Sequence, residues 1–443
     1  MNKSKKLFTN IYIYSIALIA FLVWLVSFMS HNELLKVDFD IESIGFVLIG
    51  IIVFIVLSLI KDSFYMMPLL MFTPFVFARG FSERNIPLGF FIVIGLAVLG
   101  IIVHIVRFRA KVNLGVYFFG LDIFLIGIVF GGITKSSIVV NVMLLVIGGL
   151  LILAAYSFIV TYLKKHEFND VAHMMLALGL ILIFEALAQQ FLLYRDTMFQ
   201  DKTIVVGWGI SNNIALLLLL CTPFVMFLAS KAKGLLNFVY LGIVLLFSAF
   251  LLLTYSRGAL LVALLVFPIG LIYSFIQSKN KLSYGINLGI IFIGIVGVAF
   301  LAFYKMPGLF DLLKEEISNI NLSTLNGRNA IYEEMLLKLK DDFWFGKGIF
   351  NSPNADGSDY LWGHNVYIHT IYTLGFFGLC TLLVHLFQKY YLLLKKPTPS
   401  KTFVAIAFLA SGLYGLMDVS YFYLNFMIVL IALLALVQYE IEK

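Results

Sequence analysis

Residues 211–229 read SNNIALLLLLCTPFVMFLA. After three polar residues the run is apolar and uncharged, with a length that suits one helical crossing of a hydrocarbon layer about 30 Å thick. Comparable runs recur along the whole chain. The length rule places spans near 11–30, 44–60, 64–78, 88–106, 114–133, 138–162, 171–193, 211–229, 235–254, 258–276, 284–303, 365–388, 403–417 and 420–437. Segments 64–78 and 403–417 are short, as a re-entrant or tilted piece would be. The sequence therefore predicts an all-α fold, a polytopic transmembrane helical bundle of about 12–14 spans.

Composition agrees. Of the 443 residues, 62% are apolar and 12% charged, against about 25% charged in soluble domains. The mean hydropathy is +1.01. A soluble enzyme, a secreted disulfide scaffold and a disordered chain are excluded. The net charge of +7 is spread thinly between apolar runs, which excludes nucleic acid as a partner and leaves the bilayer. Cys221 and Cys380 lie inside apolar runs and read as packing residues. The first span follows Lys3, Lys5 and Lys6 like a signal peptide, but Phe28-Met29-Ser30-His31 lacks a small-residue cleavage site, so it reads as an anchor.

With the N-terminus inside, the inner segments hold about 18 of the 31 basic residues. Glu33, Asp38, Asp40 and Glu42 crowd the first outer loop. Both termini are thus expected in the cytoplasm. Residues 304–363 form the one long polar stretch, on the outer face. It is rich in aromatics and has two amphipathic pieces: Leu309, Leu312, Leu313 and Ile317 share one helical side, and Ile331, Met335, Leu336 and Leu339 another. The expected organisation is N-terminal transmembrane helices (1–210), transmembrane helices ending in the Ser-Arg-Gly motif region (211–303), an extracytoplasmic loop (304–363) and C-terminal transmembrane helices (364–443).

Candidate chemistry concentrates on the outer face. Arg257, in Thr254-Tyr255-Ser256-Arg257-Gly258, sits at a membrane boundary, where a guanidinium either snorkels to lipid headgroups or binds an anion such as phosphate through its planar fork. Arg328 follows the Asn326-Gly327 turn at a helix start, where backbone N–H groups help hold an anion. His364, in Trp362-Gly363-His364-Asn365-Val366-Tyr367, marks the re-entry into the membrane and suits proton transfer, with Asn365 able to orient it or hold a sugar hydroxyl; the bland reading is a histidine among belt aromatics. Ser256, Asn365, Tyr367 and Asp418 are supporting candidates, Asp418 at the outer end of a short helix. Asp122 and Glu185 lie within spans and could form a proton or ion path, as in a transporter, or pair structurally with Ser, Tyr or Arg partners; the structural reading is preferred because no second basic residue lies deep in a span to complete a relay. With no histidine cluster or glycine-rich phosphate loop, neither a metal nor a cofactor is expected.

Tyr255-Ser256-Arg257-Gly258, Gly327-Arg328, Phe345-Gly346-Lys347-Gly348 and His364-Asn365, with Gly375 and Gly378 beyond, occur in that order. Together they resemble the O-antigen ligase and O-antigen polymerase family of bacterial membrane glycosyltransferases, over roughly residues 210–390. The resemblance implies a donor glycan on undecaprenyl pyrophosphate, transferred to a hydroxyl acceptor at the outer face of the bacterial cytoplasmic membrane. It implies that Arg257 and Arg328 bind the pyrophosphate, that His364 handles the acceptor proton, and that transfer inverts the anomeric carbon without metal. Other polysaccharide-assembly proteins are possible partners. Usage rich in Ile, Lys, Phe and Asn hints at an AT-rich genome, and many such bacteria lack lipopolysaccharide, which tilts the expectation to a polymerase of capsule or similar repeats. The alternative is a ligase that passes the finished glycan to lipid A core, protein or another surface acceptor. From another class, a lipid-linked-oligosaccharide flippase or transporter would predict internal repeats with broken helices in matching halves.

Overall fold

The computed structural model describes residues 3–36, 40–78, 87–133, 149–195, 198–199, 204–207, 209–305, 328–348 and 363–441. The expected amphipathic piece at 309–320, the Asn326-Gly327 turn, Tyr360–Trp362 and the first part of the span near 138–162 lie outside the described residues.

The chain is helical almost throughout. The elements are α1 (Lys3–His31), α2 (Ile41–Leu59), α3 (Met67–Phe72), α4 (Leu88–Phe108), α5 (Phe118–Ile133), α6 (Ile152–Tyr162), α7 (Phe168–Leu193), α8 (Ser211–Lys231), α9 (Gly234–Leu253), α10 (Arg257–Gln277), α11 (Lys281–Lys305), α12 (Arg328–Leu339), α13 (Val366–Leu394), α14 (Pro399–Tyr414) and α15 (Leu424–Ile441). A two-residue antiparallel pairing, β1 (Val205–Val206) with β2 (Gly209–Ile210), interrupts the helical pattern before α8. Every expected span contains a helix in its described part, although several begin or end outside it. Among the described residues, eight helices are long and apolar enough to cross a membrane, and five further apolar stretches are shorter. The chain is therefore an all-α polytopic protein. The short segment 64–78 is one α turn-pair flanked by 3₁₀ turns at Ser63–Met66 and Thr73–Phe75, because Pro68 and Pro74 withhold the N–H groups a continuous helix would need.

The chain forms two compact units. The first comprises Met1–Lys111, Tyr162–Glu316 and Ile406–Ala410. Its centre is α8, in which every residue from Asn213 to Ser230 is buried, and α7, α9 and α10 pack around it. A helix apolar on all sides needs such an all-round shell. At one edge Asp62 accepts the backbone N–H groups of Phe64 (3.2 Å) and Lys164 (3.1 Å) and meets His166 Nε2 at 2.7 Å. The His166 ring stacks on Phe64, and Nδ1 faces Asp170 at 3.6 Å. Deeper in α7, Glu185 is fully buried and neither carboxylate oxygen has a hydrogen-bond partner among the described residues, so the expected structural pairing is not formed there.

The second unit comprises Val112–Thr161, Ile317–Ala405 and Ser411–Lys443. Here α5 runs antiparallel to α13: the Gln388 side chain accepts the Gly120 N–H at 2.7 Å, Gly127 abuts Thr381 and Gly131 abuts Leu374. The α13 helix extends past the expected end at 388, and this places Lys389 inside the unit. It is 1% exposed, and its Nζ donates to the Tyr421 hydroxyl at 2.6 Å. A lysine is thus buried near the end of α13. Its Nζ lies 5.2 Å from the Tyr390 ring centroid and 5.3 Å from that of Tyr421. In α12 the buried side consists of Met335 and Leu339, one turn apart, while Leu336 is half exposed. The expected four-residue stripe is thus narrower, because Leu336 falls on the outer side.

Helix α13 is broken at Gly375, which takes φ 71° and ψ −174°. The segment Phe343–Gly348 inserts into the gap. Phe376 and Phe377 donate their N–H groups to the carbonyls of Phe343 (2.8 Å) and Trp344 (3.1 Å). The carbonyls of Tyr372 and Thr373, left over on the other side, accept from Lys347 (2.8 Å) and Gly348 (2.9 Å). The break therefore leaves none of these four backbone groups orphaned, which is the condition for a helix interruption at membrane depth. Gly346 and Gly375 meet face to face, both with φ 71°. A Cβ on Gly346 would lie 2.5 Å from the Gly375 nitrogen, and one on Gly375 would collide with the Trp344 carbonyl. The glycines at 346 and 375 are thus required by one close backbone crossing.

Candidate active site

In the second unit, four of the sequence-derived candidates are brought together by the short connection between α14 and α15. Three consecutive carbonyls of that connection are taken up in turn. Gly415 O accepts the Val366 N–H at 2.7 Å, Leu416 O accepts Asn365 Nδ2 at 3.1 Å, and Met417 O accepts Arg328 Nη1 at 2.6 Å. The next residue is Asp418, whose carboxylate faces His364: Nδ1 to Oδ1 is 3.8 Å, an ion-pair separation longer than a hydrogen bond. The row of acceptors fixes the relative positions of the α12 start, the α13 start and Asp418.

Asn365 does two things. Its Oδ1 caps α13 by accepting the N–H groups of Tyr367 (2.9 Å) and Ile368 (3.2 Å), while its Nδ2 grips the connection. This is an N-cap of the kind Asn provides well. Tyr367 enters the arrangement through that backbone N–H. His364, immediately before the cap, has φ 42°. A non-glycine residue in the left-handed region costs of order 1 kcal/mol or more and persists where its surroundings hold it. Here the Tyr332 hydroxyl donates to the His364 carbonyl at 3.4 Å, and the cap fixes the next residue.

The charges of the two partners differ in setting. Asp418 is 1% exposed and the His364 side chain 34%. Burial alone would raise the Asp418 carboxyl; the neighbouring His364 ring, the Val419 N–H (2.8 Å) and the Tyr423 hydroxyl (2.8 Å) outweigh it and hold the group below the ordinary carboxylate range. Asp418 is therefore an anion, fixed by three donors, the third being the Tyr414 hydroxyl at 3.4 Å, and aimed at a half-exposed imidazole. For Tyr332, burial raises the hydroxyl pKa and the adjacent Arg328 only partly opposes this.

Ser256 and Arg257 belong to the first unit. Ser256 is buried and immediately precedes α10, and Arg257 is the first residue of that helix. Tyr255, just before, is a second non-glycine residue with positive φ (50°). Its hydroxyl donates to the Phe199 carbonyl, and Phe199 N–H in turn donates to Gln190 Oε1 at 3.0 Å. Gln189 Oε1 accepts the Val205 N–H at 3.1 Å. Gln190 thus anchors the residue whose carbonyl holds Tyr255, and its neighbour Gln189 anchors β1. Those glutamines, Tyr332, Tyr423 and the carbonyl row 415–417 are the supporting groups that sequence reasoning missed. Backbone acceptors leave no sequence signal; Tyr423, five residues after a candidate acid, leaves a weak one.

The fold and these residues define a multi-pass helical membrane protein with a cationic, histidine-bearing helix entry. Residues 241–383 match the family model described as O-antigen ligase, which supports placing this segment in the O-antigen ligase/polymerase family. The matched segment contains Ser256, Arg257, Arg328, His364, Asn365 and Tyr367, whereas Asp418 lies beyond it. The match supports an activity of the O-antigen ligase/polymerase type, a lipid-linked glycan donor and a membrane setting. A search of the curated proteins finds no match to this chain.

Proposed function

We propose that the protein transfers a glycan from undecaprenyl pyrophosphate to a hydroxyl acceptor on the outer face of the bacterial cytoplasmic membrane, and that it acts as a polymerase of surface-polysaccharide repeats. The observation that carries this reading is the His364–Asp418 pair at the entry of α13, beside Arg328 and inside or next to the family domain. In this mechanism the acceptor oxygen attacks the anomeric carbon and its proton passes to His364. The bond between that carbon and the pyrophosphate oxygen breaks, and undecaprenyl pyrophosphate leaves with the electron pair. Attack opposite the leaving group inverts the anomeric centre. Asp418 orients the imidazole and stabilises the imidazolium that forms.

Arg257 and Arg328 supply guanidinium groups for the departing pyrophosphate. A guanidinium carries five donors, and the Met417 carbonyl takes one of those on Arg328, so this bond aims the fork as well as tethering it. The charge balance of the sequence supports cytoplasmic termini and an outer-face site. Ligase activity toward a surface acceptor uses the same donor chemistry. Deletion of the gene with analysis of the surface glycan separates the two: single-repeat material identifies a polymerase, and full-length glycan stranded on its lipid carrier identifies a ligase.

A further inference from the structure

The turn that fills the break in α13 carries an aromatic patch. Trp344 is 63% exposed, and Phe343, Phe345, Phe376 and Phe377 are exposed with it. The rings are ordered against one another: Phe343 stacks on Phe376 at 5.4 Å, Trp344 meets Phe376 edge-on at 5.8 Å, and Phe345 leans on Phe377 at 6.1 Å. An isolated exposed phenylalanine means little, but a contiguous aromatic patch on a fixed backbone marks a contact surface.

Two observations identify what covers it. The first is level. Gly131 of α5 abuts Leu374, and the sequence after Ile133 turns polar at Thr134-Lys135-Ser136-Ser137. The break at Gly375 therefore lies about one helical turn, roughly 5 Å, inside the apolar length of α5. The second is continuity. On α13 the exposed residues Phe376, Leu383, Phe387, Tyr391 and Leu394 follow one another at helical spacing and form one apolar face. In a protein that spans a membrane, such a face meets lipid. Phe130 of α5, also exposed, touches Phe377 at 6.0 Å and widens the same face. The patch on the turn is the upper end of this lipid-facing surface.

We infer that Phe343, Trp344 and Phe345 form a re-entrant wedge that inserts into the bilayer, with phospholipid acyl chains near the headgroup boundary as its occupant. The backbone bonds to α13 make the insertion feasible, because the four main-chain groups of the broken helix are satisfied by the wedge itself. Tryptophan with its ring apolar and its N–H polar suits that depth. The wedge follows α12 through the 3₁₀ turn Lys340–Asp342, so its insertion holds the helix that bears Arg328 at the membrane surface. The inference does not depend on the proposed reaction.

The test uses the full chain with Trp344 as its only tryptophan (Trp24→Phe, Trp208→Phe and Trp362→Phe), in donor-free phosphatidylcholine vesicles. Lipid brominated near the top of the acyl chains should quench the fluorescence roughly twofold, and aqueous iodide should leave it nearly unchanged. Quenching by iodide without quenching by brominated lipid would overturn the inference. Shielding from both would put protein, such as a second copy of the chain, over the patch and overturn it equally. If the triple variant does not fold, Trp344→Cys in a Cys221→Ala, Cys380→Ala background serves instead. It should resist a membrane-impermeant maleimide in vesicles and react after denaturation; labelling in intact vesicles contradicts the wedge.

Discussion

His364 Nδ1 lies 3.8 Å from Asp418 Oδ1, with the imidazole half exposed and the carboxylate buried under the Val419 N–H and the Tyr423 hydroxyl. An anchored anion behind an accessible imidazole is the arrangement expected of a base and its orienting group. His364→Ala is therefore expected to lower glycan transfer by about 10²–10⁴-fold. Asp418→Asn should cost less, about 10–100-fold, because it disturbs the base without removing it. The loss in Asp418→Asn should fall on kcat with KM little changed. Steady-state kinetics on a lipid-linked donor checks both, and an equal loss in KM would assign Asp418 to binding.

Arg257 and Arg328 are the candidate pyrophosphate ligands. Arg257→Ala should lower transfer by about 10²–10³-fold, the usual cost of one charge-stabilising group in a water-poor site. Arg257→Lys should restore only part of this, since the planar fork is lost. Arg328 also donates to the Met417 carbonyl at 2.6 Å. Arg328→Ala should therefore lower thermal stability as well, by about 1 kcal/mol for a part-buried acceptor left without its charged donor. Melting in detergent alongside activity checks the two effects of Arg328→Ala.

The crossing of Gly346 and Gly375 admits no side chain. Gly375→Ala and Gly346→Ala each add a methyl into backbone and force an L-residue to φ 71°. Both should destabilise the protein by at least about 1–3 kcal/mol. Alanine at Gly242, whose added Cβ would meet nothing within 4 Å, is the control. Thermal melts of the three variants provide the comparison.

The Asp62–His166 pair makes a pH-dependent contribution to folding. Burial would raise Asp62, but the His166 ring and the Lys164 and Phe64 N–H groups hold its pKa below the ordinary value. Burial would lower His166, but Asp170 and Asp62 hold it above its ordinary value. Stabilisation from Asp62 is present above its unfolded pKa of about 3.9 and is lost as pH falls through the lower folded value. Stabilisation from His166 is complete below its unfolded pKa of about 6.5 and is lost as pH rises through the raised folded value. The pair thus stabilises most between about pH 4 and 6.5. His166→Gln should remove the decline on the alkaline side of that window, measured as melting temperature against pH.

Much of the fold was legible because a membrane span writes its length into the sequence: runs such as 211–229 became helices such as α8. The break in α13 was not legible, because a glycine in an apolar run is ordinary and its partner segment lies about 30 residues upstream, a pairing made through backbone groups. The burial of Lys389 was not legible either, because an apolar run ends, on paper, at its first charge; in the structure the helix continues to Leu394 and the lysine packs against the Tyr390 and Tyr421 rings. His364 and Arg328 were legible as rare polar residues in a chain with little charge. That they share the 414–424 connection with Asp418 depends on long-range contacts that spacing does not encode.

The central claim is that this helix entry performs glycosyl transfer from a polyprenyl pyrophosphate. Its most direct test is the purified protein in vesicles supplied with a synthetic undecaprenyl-pyrophosphate-linked repeat, with released undecaprenyl pyrophosphate and extended glycan measured together. The account predicts that both products form in equal amounts with the wild-type chain and fall by about 10²-fold or more in His364→Ala. Wild-type rates in His364→Ala, or no release of undecaprenyl pyrophosphate by the wild-type chain, would contradict it.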